Sequence, residues 1–330
     1  MPAGQVRATL VAVAAGDEVA ETSRSLRGEL GQPHPVPLPE FPETMPGTTP
    51  WGRTVTHLAG LALDLSPHGF RLTAARAGTS GQVRRIAAAQ PSLVARTADV
   101  LAGDSAGDTL LRISRPATLA AQLALPTGEP LLSDPGALRD VCEAWLAGML
   151  DLVAATERSL PGARAILWIQ EPELDRVSAG HVRSSSGYRQ LAPWHRRDVA
   201  RVWEGLAQRT PAWLPGPDAV QGTVAEAIAV AQPGERPGDW EALAPRIEAG
   251  GAVLLGLRQR ERGTVASRAS QIATPWRRLG LAAADLGRLI VCEPGEEAVG
   301  AQLLRRRASS ARDLADALDV VRHDDLDALI

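Results

Sequence analysis

The sequence predicts an α/β protein folded as a single (β/α)8 barrel. Three observations predict it. Eight short apolar runs of β-strand character are spaced along the 330 residues, amphipathic helical stretches separate them, and no linker divides the chain. Several runs are almost continuously apolar rather than alternating, as strands buried on both faces of a parallel sheet are. An open doubly wound sheet is the other arrangement that fits this alternation.

The first strand is expected over Val6–Val13, followed by a helix over Asp17–Leu30 with Asp17 as its N-cap. Residues 32–50 hold seven prolines, so this stretch reads as an extended, polyproline-like loop rather than helix or strand. Such a loop is expected to pack over the mouth or rim of its own barrel beside Arg53; a ligand for a proline-recognition domain is the other reading. A helix over Trp51–Leu65 then leads to a second strand, Phe70–Ala74, and a third, Thr109–Ile113. Asp134 and Pro135 mark the start of a helix over Pro135–Leu160, because Asp caps free N–H groups and Pro has none to leave unpaired at the first helical position. The remaining strands are expected at Ala165–Ile169, Ala212–Leu214, Ala227–Ala231, Ala252–Gly256 and Leu289–Cys292. Helices over Asp198–Gln208, Trp240–Ala249 (stopped by Gly250-Gly251) and Glu296–Leu318 complete the pattern.

Composition excludes several functions. The net charge is −3, from 38 acids and 35 bases, and every base is Arg because the chain has no Lys. A Schiff-base or P-loop lysine is therefore excluded, and no global basic field favours nucleic acid. Alanine supplies roughly one residue in six, which favours helix-rich packing. Two cysteines, Cys142 and Cys292, make neither a disulfide framework nor a complete zinc site. The apolar run Ala8–Ala15 has no basic cluster before it and reads as a buried strand rather than a signal peptide. With no stretch of 18 uninterrupted apolar residues, no membrane partner is expected, and a cytoplasmic location is.

Short motifs are few. Ala15-Gly16-Asp17 follows the first strand but belongs to no dinucleotide or P-loop pattern, and the six histidines lack metal-ligand spacing. Arg305-Arg306-Arg307 with Asp313, Asp316 and Asp319 reads as a solvated helix face. More informative is Ile166-Leu167-Trp168-Ile169-Gln170-Glu171-Pro172-Glu173-Leu174, where an apolar strand ends directly in polar residues. In a barrel, the C-terminal strand ends form the mouth where chemistry is placed, so Gln170 and Glu171 are candidate site residues.

This strand end resembles the (D/Q)EPAL strand end of the cobalamin-independent methionine synthase C-terminal-domain family, within the uroporphyrinogen decarboxylase and methionine synthase class of TIM barrels. Further segments fall in the order of that family: ATLVAVAAGD at 8–17, RGELG at 27–31, PHPVPLPEFP at 33–42 and WGRTVTHLAGLALDLSPHGFRLT at 51–73. ISRPATLAAQLALPTGE at 113–129, SSSGYRQL at 184–191 and PWRRLGL at 275–281 continue it, so the similarity covers nearly the whole chain. The resemblance implies one barrel over residues 1–330, methyl transfer from a folate to the thiol of homocysteine, and a substrate site including Gln170, Glu171, Arg115, Thr118 and Arg53. It also implies zinc, held by His and Cys after the fifth strand, an acid after the sixth and Cys after the eighth. The matching positions here are Pro215, Gly216, Gln232 and Gly295, so no cofactor is expected and no catalytic residue is assigned. Two readings stay open: a methionine-synthase-like methyltransferase, or a non-catalytic barrel that binds a folate- or amino-acid-like small molecule or presents a partner surface.

Overall fold

A computed structural model describes residues 4–101, 105–216, 225–234, 237–258 and 263–323. Among these residues ten strands are assigned: β1 Arg7–Leu10, β2 Val36–Pro37, β3 Leu63–Ser66, β4 Gly69–Leu72, β5 Gly107–Ser114, β6 Ala163–Gln170, β7 Ala212–Pro215, β8 Ala227–Ala231, β9 Ala252–Gly256 and β10 Leu289–Glu293. Eight of them form one parallel sheet in the order β1-β10-β9-β8-β7-β6-β5-β2. The ends of that sheet meet, because Val13 bridges Glu40, with Glu40 N–H donating to the Ala12 carbonyl (2.9 Å) and Ala14 N–H to the Glu40 carbonyl (2.8 Å). The result is the (β/α)8 barrel that the alternation predicts.

The helices are α1 Val19–Glu29, α2 Pro50–Thr56, α3 Gly81–Ala87, α4 Ala89–Val100, α5 Pro116–Gln122, α6 Pro135–Ser159, α7 Leu174–Ser178, α8 Arg196–Ala207, α9 Ala244–Glu248, α10 Val265–Arg278 and α11 Ala301–His323. Asp134 caps α6 as expected, accepting from Gly136 and Ala137 N–H. Asp17 does not cap α1: the N-cap position is Glu18, without a side-chain bond. No helix among the described residues is long and apolar enough to cross a membrane.

Two expectations are corrected. Phe70–Ala74 is not the second barrel strand; β4 pairs antiparallel with β3 as a hairpin outside the barrel, and the helix expected over Trp51–Leu65 stops at Thr56. The second barrel strand lies instead inside the proline-rich segment. Its first four prolines fall at odd positions 33, 35, 37 and 39, so the even residues between them keep their N–H groups. Leu38 donates to the Leu110 carbonyl (2.9 Å) of β5, while Glu40 reaches back to Ala12 beyond β1. Pro37 and Pro39 have no N–H to offer the seam, which keeps β2 to two residues. Residues 36–40 are thus a stave of the barrel rather than part of a loop, while residues 41–49 run from its C-terminal end to α2, which carries Arg53.

Side chains alternate between two cores, following the two-residue period of strands. Leu111, Ile113, Leu167, Ile169, Val253, Leu255 and Val291 face the helices. Leu110, Ile166, Trp168, Trp213, Leu254, Ile290 and Cys292 fill the bore. Both faces being apolar explains the unbroken runs seen in the sequence. In the bore, Trp168 and Trp213 lie side by side (ring centroids 6.2 Å apart), next to the small Ala227, Ala229 and Ala252 of β8 and β9. Outside, Gly148 lets α6 approach the end of α2, since a Cβ there would overlap the His57 carbonyl oxygen.

β1 is also tied to the turn before β2. His34 is buried, and its Nδ1 accepts the Ala8 N–H at 3.1 Å, so this nitrogen carries no proton. Burial holds the imidazole below its ordinary pKa, with Asp316 and Asp319 opposing and Arg312 and Arg7 assisting. The unfolded chain therefore binds the proton more readily than the native one. Stability present above the unfolded value of about 6.5 is lost as pH falls through it towards and past the lower native value. Urea midpoints of the wild type should fall between about pH 7 and about pH 5 more than those of His34→Gln, and parallel curves would remove this role.

Candidate functional site

The C-terminal ends of the strands gather two groups of polar side chains. The first closes the bore. Arg112 points inward from β5, and its Nη1 donates to Glu40 Oε1 (3.1 Å), while Nη2 donates to both Glu296 oxygens (2.7 and 2.9 Å) and to Gln170 Oε1 (3.4 Å). Its guanidinium lies 5.6 Å from the ring centroid of Trp168, so cation and aromatic floor are stacked. Burial alone would lower the Arg112 pKa, but Glu40 and Glu296 outweigh it and hold the guanidinium above its ordinary value. Burial raises the Glu40 carboxyl against the pull of Arg112 and Arg53. Arg112 and Glu40 are buried, whereas the Glu296 side chain is 72% exposed and lies over them from the β10–α11 connection.

Arg53 stands behind this group and is wholly buried on α2. Its Nε donates to Gln90 Oε1 (2.9 Å), Nη1 to the Arg112 carbonyl (3.2 Å), and Nη2 to the carbonyls of Leu38 and Pro39 (3.3 Å each). Glu40 Oε1 lies 4.0 Å from Nη1. Burial lowers the Arg53 pKa to about 10, with Glu40 resisting. Arg53 is thus a structural cation that binds β2 to β5 from the helix side rather than a residue open to substrate.

The second group surrounds an off-axis cavity of about 400 Å³ at the ends of β5, β6 and β7, walled by Arg115, Glu171, Pro172, Leu174, Trp203 and Pro215 among others. Pro116 occupies the first position of α5, which leaves the Ala117 and Thr118 N–H groups without helical partners. Glu171 takes both: Oε1 accepts from Thr118 N–H (2.7 Å) and Thr118 Oγ1 (2.6 Å), and Oε2 from Ala117 N–H (3.3 Å). Arg115 Nε lies 3.3 Å from Oε2, with both side chains buried. Burial raises the Glu171 carboxyl, opposed first by Arg115. Burial also lowers Arg115 to about 9, with Glu171 resisting. The Arg115 guanidinium lies 3.7 Å from the centroid of the Trp203 ring.

Of the residues that the family resemblance singles out, Arg115 and Glu171 line this cavity, and Thr118 is hydrogen-bonded to Glu171. Gln170 turns instead into the bore towards Arg112, and Arg53 lies behind the wall. Sequence reasoning missed Arg112, Glu40, Glu296 and Trp203. Arg112 could have been found, since an arginine amid the buried run Thr109–Ile113 takes an inward position in the alternation.

The zinc that the resemblance implies does not fit the residues present. Where it needs ligands stand Pro215, Gly216, Gln232 and Gly295, and Gln232 accepts the Arg258 N–H instead (3.3 Å). Among the described residues no group of three or more His, Cys, Asp or Glu could hold a metal ion. Cys292 is buried in the bore, and burial pushes its thiol well above the usual range against Arg112. Burial takes Cys142 up to about 12. Neither sulfur is set up to be a thiolate near neutral pH. No protein-family model matches this chain, and no curated protein matches it.

Replacing Arg53 by Met would leave the Leu38, Pro39 and Arg112 carbonyls without that donor and Glu40 with one cation fewer. Arg53→Met is expected to lose about 3–5 kcal/mol of unfolding free energy in urea titration. A loss within about 0.5 kcal/mol would remove the clamp.

Proposed function

We propose that this protein is a small-molecule-binding barrel whose ligand enters the off-axis cavity at the ends of β5, β6 and β7. One observation carries the reading. Ligand sites in (β/α)8 barrels gather at the C-terminal strand ends, and here the axis is filled by Arg112, Glu40 and Glu296 while the space beside it is open. A volume of about 400 Å³ suits a compact organic molecule. Its wall joins apolar Leu174, Pro172 and Trp203 to the polar Arg115 and Glu171, the mixture that fixes both affinity and orientation. The folate- and amino-acid-like ligands implied by the resemblance to the methionine synthase family remain candidates for this space.

Methyl transfer to a zinc-held thiol is the weaker reading. A free thiol has a pKa of about 8.5 and is mostly protonated near neutrality, so the reaction needs a group that stabilises thiolate. The strand ends supply Pro215, Gly216, Gln232 and Gly295, none of which does so. Purified protein is expected to hold less than one zinc per chain and to show no folate-dependent methylation of homocysteine. One tightly held zinc, with activity lost on chelation, would reverse the order of the two readings.

The cavity reading has its own test. A ligand present at about a hundred times its Kd stabilises the folded state by about 2.7 kcal/mol, which a thermal-shift screen of small metabolites detects. Ala200 lines the same space, so Ala200→Trp should abolish the shift of any true hit. Hits that survive this substitution place the ligand elsewhere.

A further inference from the structure

We infer that the cavity is a carboxylate site, and that its ligand is a monoanionic organic acid with a compact apolar body. The inference rests on the cavity reading and adds the chemistry of the head group. Its basis is an imbalance of donors and acceptors. Arg115 is fully buried, yet Nη1 and Nη2 have no hydrogen-bond partner, and Nε has only the ion-pair contact with Glu171. The indole Nε1 of Trp203, stacked on the same guanidinium, is a second buried donor without an acceptor. Glu171 does not supply the lack, because its oxygens accept from Thr118 and Ala117 and its approach to Arg115 is at Nε.

Buried donors are almost always satisfied in folded proteins, and a charged one left unsatisfied carries the largest penalty. Arg115 and Trp203 both line the cavity, which points to an acceptor that arrives from outside. The planar fork of a guanidinium matches a carboxylate in two parallel N–H···O bonds. Trp203 covers one face of the guanidinium, so the anion meets it edge-on, in the plane where Nη1 and Nη2 donate. The rim cations are already matched, Arg196 by Asp175 and Arg197 by Asp198. A single negative charge suits the site better than a dianion, because Glu171 lies beside Arg115 and repels added charge. Leu174, Pro172 and Pro215 then receive an apolar body.

Phenylacetate, phenylacetamide and phenyl phosphate share a ring and differ in head group, so titration calorimetry of the three against the full chain tests the assignment. Phenylacetate should bind at least about tenfold more tightly than either of the others, the smallest difference expected for a charge-assisted pair. Arg115→Met/Glu171→Gln removes the buried charges together, while the amide oxygen introduced at position 171 can still accept from Thr118. This variant should lose at least about tenfold in phenylacetate affinity and melt no lower than wild type without ligand. If Arg115 served only the fold, the melting temperature would drop and affinity would stay. Amide or phosphate binding equal to the acid, with all binding lost in Ala200→Trp, overturns the carboxylate assignment and leaves the cavity reading intact. Binding unmoved by Ala200→Trp removes the cavity reading itself, and no binding of phenylacetate at its solubility limit overturns the inference.

Discussion

The wholly buried guanidinium of Arg53 is the interaction on which the rest of this barrel depends. A stave rich in proline cannot hold itself in a sheet, because each proline removes a ladder donor and leaves its neighbours' carbonyls to be satisfied otherwise. Arg53 answers this from outside the sheet, donating to carbonyls of β5 and of the β2 stave at once. With β2 held, Glu40 comes to the seam, where its backbone meets Ala12 and Ala14 and its carboxylate meets Arg112. Closure of the barrel and closure of its bore are therefore one construction.

Three buried arginines show three degrees of compensation. Arg53 has an acceptor for each of its nitrogens. Arg112 shares Glu40, Glu296 and Gln170, with only Nε lacking a partner. Arg115 has one carboxylate near Nε and an aromatic face, and nothing for its fork. The cost of burying a guanidinium is similar in each case, so the difference lies in what the surroundings return. That return is smallest where the cavity opens.

The barrel was legible because burial on both faces writes itself as unbroken apolar runs; Ala227–Ala231 and Ala252–Gly256 have the bounds expected from those runs. β2 was hidden because the density of prolines from Pro33 to Pro39 outweighs any strand signal, and only their odd spacing hints that alternate donors survive. The hairpin β3–β4 reads as a barrel strand because Phe70 and Leu72 alternate with polar residues as a strand's do; Pro67-His68 between its arms is the turn signal that separates the two cases. Helix α10 is not among the helices expected from the sequence, and Pro275 lies in its last turn. At the site, Glu171 is legible from the polar end of its strand, whereas Arg115 and Thr118 come only from the family resemblance. Trp203 is not legible, since an aromatic on an amphipathic helix reads as core until its neighbour across the fold is known.

The seam also bears on how the chain is made. β1 pairs with β10, Arg7 against Ile290, so during synthesis the first strand of the barrel waits for every other stave before this partner exists. During that wait any early parallel sheet has open borders, and open strand borders recruit foreign strands. The border that β2 contributes is the one bearing Pro37 and Pro39, which cannot donate to an incoming chain. The same residues that make closure dependent on a buried cation thus make the unfinished barrel a poor template for aggregation during synthesis.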